Sequence, residues 1–172
     1  MKVGTAKNIA AEWVMKHASK ASGFQGAYFI GSTTEMSINA DLPESSDIDI
    51  IVVTPLEEPP MKLGKFFYRG VLLEVTYLSW QQLSSAEEIL SSYHLAGGFR
   101  KNTIITDPTG RLQRLQRDVS KHFADEKWVR KRCRNAGEKV ERGLKNIDTS
   151  APFYDQVMAW LFSTGVMTHV LL

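Results

Sequence analysis

Residues 28–53 read YFIGSTTEMSINADLPESSDIDIIVV, and the reading of this stretch decides the fold. An apolar run ends at Gly31-Ser32, a polar turn-forming loop follows, and a second apolar run opens with Asp47-Ile48-Asp49-Ile50. If the second run is a strand, successive side chains point to opposite faces, so Asp47 and Asp49 project from one face, roughly 7 Å apart. Two like charges on a strand otherwise built of Ile and Val are costly to bury side by side. A divalent cation held between them resolves the conflict.

Working outward, residues 26–30 read as a short buried strand ended by Gly31-Ser32. Residues 33–37 can start a short helix, and a strand–Gly-Ser–helix junction exposes backbone N–H groups that suit phosphate oxygens. Residues 39–46 (NADLPESS) are a loop by composition, and residues 47–53 are the strand bearing the two aspartates. After a Pro-rich acidic connection at 54–60, residues 65–68 and 71–78 read as strands of a hairpin turning at Arg69-Gly70. In the second of them Leu72, Glu74, Thr76 and Leu78 share a face, so Glu74 is a charge inside an apolar strand. Beside Asp47 and Asp49 it becomes a candidate third metal-site carboxylate.

The flanking segments read as helices. Residues 5–22 carry Ile9, Ala10, Trp13, Val14 and Ala18 on one face, with Thr5 as a cap, Gly23 as a stop and His17 as a surface histidine. Ser84 and Ser85 each open a capping box, with Glu87 and Glu88, for a helix to residue 93. His94 is then expected at a helix end, favoured by the dipole. Gly97-Gly98 breaks the helix, residues 103–106 form a short apolar stretch, and residues 107–110 turn into a helix over 111–123. A second long helix spans 125–146, sparsely apolar and with one solvated face. The last helix, with Pro152 near its first turn, is apolar on nearly every side (Val157, Met158, Trp160, Leu161, Phe162, Val166, Met167, Val170), so something must bury it. Packing in a helical bundle, a homodimer interface, and a helical domain left incomplete at Leu172 are the three expectations.

Charge is unevenly spread. Residues 1–97 hold 7 Lys/Arg against 11 Asp/Glu, a net of −4, whereas residues 98–172 hold 14 against 8, a net of +6. An acidic half able to hold metal beside a basic half suits a polyanionic ligand lying between them. The single Cys133 excludes an intrachain disulfide, and no Cys/His cluster points to zinc. With no recognisable signal peptide, and with the most apolar segment only the 16 residues 157–172, interrupted by His169, a cytoplasmic protein that spans no membrane is expected.

Together, Ile30-Gly31-Ser32, then Asp47-Ile48-Asp49-Ile50, then Glu74 on a later strand resemble the polymerase-beta-like nucleotidyltransferase superfamily. The spacer, residues 33–46, is 14 residues and slightly long; the excess falls in the 39–46 loop, where added length costs little closure entropy. Thr106-Asp107-Pro108-Thr109-Gly110-Arg111, with helices to the end, looks like the bacterial antibiotic branch that includes the aminoglycoside nucleotidyltransferases. The resemblance implies an α/β (α+β) fold, a mixed β-sheet core flanked by helices, with a catalytic domain over 1–108 and a helical region over 109–172. It implies transfer of a nucleoside monophosphate, AMP from ATP, to an acceptor hydroxyl on a small molecule. Asp47 and Asp49 would bind Mg2+, two ions in all; Glu74 would complete the metal set or take the acceptor's proton; Gly31 and Ser32 would hold the β- and γ-phosphates. Arg100, with Lys101, follows the Gly-Gly break and is a candidate triphosphate cation, with Lys139 and Arg142 as alternatives. The competing expectations are a non-catalytic nucleotide-binding or regulatory protein on the same fold, and a nucleotidyltransferase acting on nucleic acid, although no aromatic–basic stacking pattern supports the latter.

Overall fold

The central strands carry apolar side chains on both faces, and the sheet is covered on both sides. The computed structural model describes residues 1–57 and 60–166. Its strands are β1 (Gly26–Ile30), β2 (Ile48–Thr54), β3 (Gly64–Tyr68), β4 (Val71–Ser79) and β5 (Ile104–Thr106), and its helices are α1 (Val3–Lys16), α2 (Ala86–Ser91), α3 (Arg111–His122), α4 (Glu126–Lys145) and α5 (Phe153–Gly165). They form one mixed sheet in the order β3-β4-β2-β1-β5. β2 and β4 run parallel, and the neighbouring pairs β1–β2, β1–β5 and β3–β4 run antiparallel. The α+β class expected from the sequence is the class observed.

Parity along the strands sorts the core into two layers. Ile48, Ile50 and Val52 of β2 and Val71, Leu73 and Val75 of β4 face α1, where they meet Ala6, Ala10, Trp13 and Val14. Ile51 and Val53 face the other way, onto Tyr28, Ile89, Leu90, Phe99, Leu112 and Val119. Each fully buried aliphatic side chain of this kind stabilises the fold by about 1.5–3 kcal/mol. Leu112 and Val119 lie in that second core, so α3 covers the sheet together with α2.

The β3–β4 hairpin turns where expected. Arg69 (φ +49°) and Gly70 (φ +78°) both take left-handed backbone, the two-residue turn that matches strand twist. The helix boundaries differ more. α1 starts at Val3 rather than at a Thr5 cap, because Val3 N–H donates to Ala40 O (2.9 Å) and Gly4 N–H to Ile38 O (2.9 Å); the loop supplies the acceptors that a side-chain cap would. α1 also stops at Lys16, followed by a 3-10 turn over Ala18–Lys20. The short helix expected at 33–37 is a single 3-10 turn, Ser32–Thr34. α2 is shorter than expected: Ser85, not Ser84, is its N-cap, accepting from Glu88 N–H (3.2 Å), and it ends at Ser91.

α4 is tied to the body through Arg132, which donates to Leu90 O (3.1 Å) and Phe123 O (2.7 Å). α5 packs against α4, and no residue of α5 is buried. Phe153, Tyr154, Trp160, Leu161 and Phe162 are all exposed, so the burial this apolar helix calls for is not supplied by the described residues. The expectations for Met167, His169, Val170 and the terminus, and for part of the 54–60 connection, lie outside the described residues. No described helix is long and apolar enough to cross a membrane.

Candidate active site

The two aspartates open the strand whose far half is entirely buried. Asp47 immediately precedes β2 and Asp49 is its second residue; both face the α2/α3 side, with Ile51 and Val53. Parallel pairing sets Asp49 directly opposite Glu74. One carboxylate oxygen from each of Asp47, Asp49 and Glu74 lies within 4.8 Å of the others. The sequence-predicted trio is therefore brought together, half-buried, on one face at the mouth of the sheet.

Gly31 is the floor beneath Asp49. It has φ +76°, and a Cβ there would stand 2.0 Å from Asp49 Oδ2, so glycine is required both by its backbone and by the contact. Ser32 opens the 3-10 turn and is exposed. Its hydroxyl has no hydrogen-bond partner among the described residues, whereas the neighbouring Thr33 hydroxyl is buried and equally unpartnered.

Arg100 does reach this turn, although by way of Glu35, the residue after it. Arg100 Nη2 lies 2.5 Å from Glu35 Oε1, and Lys101 pairs with the other Glu35 oxygen. The hydrogen bonds from Lys101 and then Arg100 hold the Glu35 carboxyl below the usual range. The alternative cations are elsewhere. Lys139 faces His94 from α4, and Arg142 donates to Glu138 O on its own helix (3.3 Å). His94 lies three residues beyond the end of α2 rather than closing it. Burial, and then the charge of Lys139, push its imidazole below its usual value, the opposite of the helix-dipole expectation.

Two residues escaped the sequence reading. Lys65 Nζ is 2.7 Å from Asp47 Oδ2 and 3.6 Å from Glu74 Oε2, and Lys62 pairs with Glu74 Oε1. Lys65 stands opposite Glu74 in the β3–β4 register, so strand parity on the edge strand was the available signal. Asp47 Oδ2 is buried, and the Lys65 ammonium is the cation paired with it. Asp49 has neither hydrogen bond nor ion pair among the described residues. Its carboxyl is pushed up to about 6, first by burial and then by the charge of Asp47, with Lys65 and Lys62 opposing.

These features fit a hard divalent cation. The donors are three carboxylates, and that of Asp49, with neither hydrogen bond nor ion pair among the described residues, is raised by burial and by the charge of Asp47. No family model matches the sequence, and no curated protein matches it. Among solved structures the chain is similar to a nucleotidyltransferase-like protein from Exiguobacterium sibiricum, with 13% identity and a TM-score of 0.49 over 92% of this chain. The alignment covers 55% of that protein, so this chain spans about half its length.

Proposed function

We propose that the protein is a divalent-metal-dependent nucleotidyltransferase that moves AMP from ATP to a hydroxyl group of a small molecule. The observation that carries this reading is the convergence of Asp47, Asp49 and Glu74 within 4.8 Å, with the Gly31 backbone seated against Asp49.

In the reaction the acceptor oxygen bonds to the α-phosphorus, the bond from that phosphorus to the α,β-bridging oxygen breaks, and pyrophosphate leaves. Asp47, Asp49 and Glu74 would hold Mg2+, which when bound would supply neutralisation of the negative charge that develops on the reacting oxygens. The chain's own residues do the positioning. The unpartnered Ser32 hydroxyl and the first amides of the Ser32–Thr34 turn receive the β- and γ-phosphates. Arg100 and Lys101, already beside that turn, transfer from Glu35 to the phosphates. Glu74 takes the proton of the acceptor hydroxyl. The site residues lie in the 1–108 part, and the helices of 109–172 are the platform for the acceptor, with α5 proposed as the homodimer surface. The exposed single Cys133 agrees with a cytoplasmic location.

The test is incubation with α-labelled ATP, Mg2+ and a panel of hydroxylated acceptors led by aminoglycosides. Labelled adduct and pyrophosphate are expected from the wild type, and neither from Asp47→Asn. ATP binding without turnover across the panel would point to the non-catalytic alternative; labelling of an RNA or DNA end would point to a nucleic-acid acceptor.

A further inference from the structure

Lys62 and Lys65 have no part in the reaction just described, yet they sit where its cation would. Both side chains are about half exposed (50% and 54%), whereas the carboxylates they reach are 18% exposed at Asp47 and 16% at Glu74. Flexible, well-hydrated ammonium groups thus extend inward to fixed carboxylates. Lys65 comes from the edge strand β3 and Lys62 from the segment just before it, so neither stem is locked by packing. Three carboxylates and two ammonium groups leave the resting seat close to neutral. Adding a divalent ion without moving the lysines makes the seat positive. Adding it together with a polyphosphate gives the displaced ammonium groups an anionic partner.

We propose that Lys62 and Lys65 are stand-in cations: they hold Asp47 and Glu74 while no divalent ion is bound, the ion must push them aside, and the triphosphate then receives them. This inference rests on the proposed role of the three carboxylates as a metal seat. Its consequence is that metal and nucleotide bind cooperatively, since each removes the electrostatic cost of the other. Lys62 and Lys65 are positioning residues, acting through the carboxylates and the phosphates.

The test is titration calorimetry of Mn2+, with and without a non-hydrolysable ATP analogue, on the wild type, Lys65→Arg and the Lys62→Met/Lys65→Met double variant. Methionine keeps most of the apolar stem and removes the charge, and thermal melting checks that each variant is folded. In the absence of nucleotide the double variant should bind Mn2+ roughly tenfold tighter than wild type, the scale of one or two partly exposed ion pairs. Its metal–nucleotide coupling should fall towards none, and Lys65→Arg should behave as wild type. Equal or weaker Mn2+ binding by the folded double variant overturns the stand-in role while leaving the metal seat intact. Tighter binding without any nucleotidyl transfer supports the stand-in role and overturns the proposed reaction. Absence of Mn2+ binding in every protein overturns both.

Discussion

Asp49→Asn separates two effects that a catalytic assay would merge. In the metal-free protein burial and Asp47 raise the Asp49 carboxyl from 3.8 to about 6. Between those values the folded protein binds more protons than the unfolded chain. Stability therefore falls as pH rises through this window, and the loss is complete above about pH 6. A shift of this size corresponds to about 3 kcal/mol, and screening at a side chain partly open to water cuts that to ~1–1.5 kcal/mol. Asparagine keeps the shape and removes the charge. At pH 8, without metal, Asp49→Asn should melt ~2–5 °C above the wild type. Near pH 4 the two should nearly coincide. Millimolar Mn2+ reverses the order: it should raise the melting temperature of the wild type and leave that of Asp49→Asn nearly unchanged. Differential scanning fluorimetry at both pH values, with and without Mn2+, reads all of this. A variant less stable than wild type at pH 8 without metal, or one that Mn2+ stabilises equally, would refute the reasoning.

Other expected outcomes follow from the same geometry. Gly31→Ala would force a side chain into left-handed backbone 2.0 Å from Asp49 Oδ2, so urea denaturation should show a loss of ~2–4 kcal/mol. Glu35→Gln frees Arg100 and Lys101; because these ion pairs are largely solvated, the melting temperature should barely move, while calorimetry should show affinity for an ATP analogue rising roughly threefold. Arg100→Ala should weaken the same binding. If α5 self-associates through Trp160 and Phe162, sedimentation of the wild type should show a species of twice the 19.4 kDa monomer, and Trp160→Glu/Phe162→Glu should abolish it.

The site's carboxylates were legible because a strand has a fixed period: Asp47, Asp49 and Glu74 could be assigned to faces from local alternation alone. The Gly31 requirement was only half legible. The sequence marks a turn, but the contact with Asp49 depends on β1 and β2 pairing so that Ile30 meets Asp49. Lys65 needed the same non-local knowledge, since its partner Glu74 is fixed by the hairpin register, and Lys62 lies just outside any strand, where period gives no guidance. The start of α1 was misread for a similar reason. Thr5 looks like a cap, but the first amides are taken by Ile38 and Ala40 carbonyls, which no local motif announces. Arg100 was found near the turn, but its pairing with Glu35 joins residues 65 apart in the chain, a contact made only by the fold.

The parallel pairing of β2 with β4 has a consequence for how this chain tolerates change in length. Residues added in the connection well ahead of Lys62 leave the pairing of Asp49 with Glu74 untouched, so that part of it can grow with little effect on the acidic centre. A single residue inserted between Val71 and Glu74 would turn the glutamate towards α1 and bring an apolar neighbour to the mouth of the sheet; two residues would restore its direction but shift it along the strand by one full repeat. Tolerance to insertion should therefore change abruptly between the connection ahead of β3, where length is free, and the β3–β4 hairpin, where it is governed by odd and even.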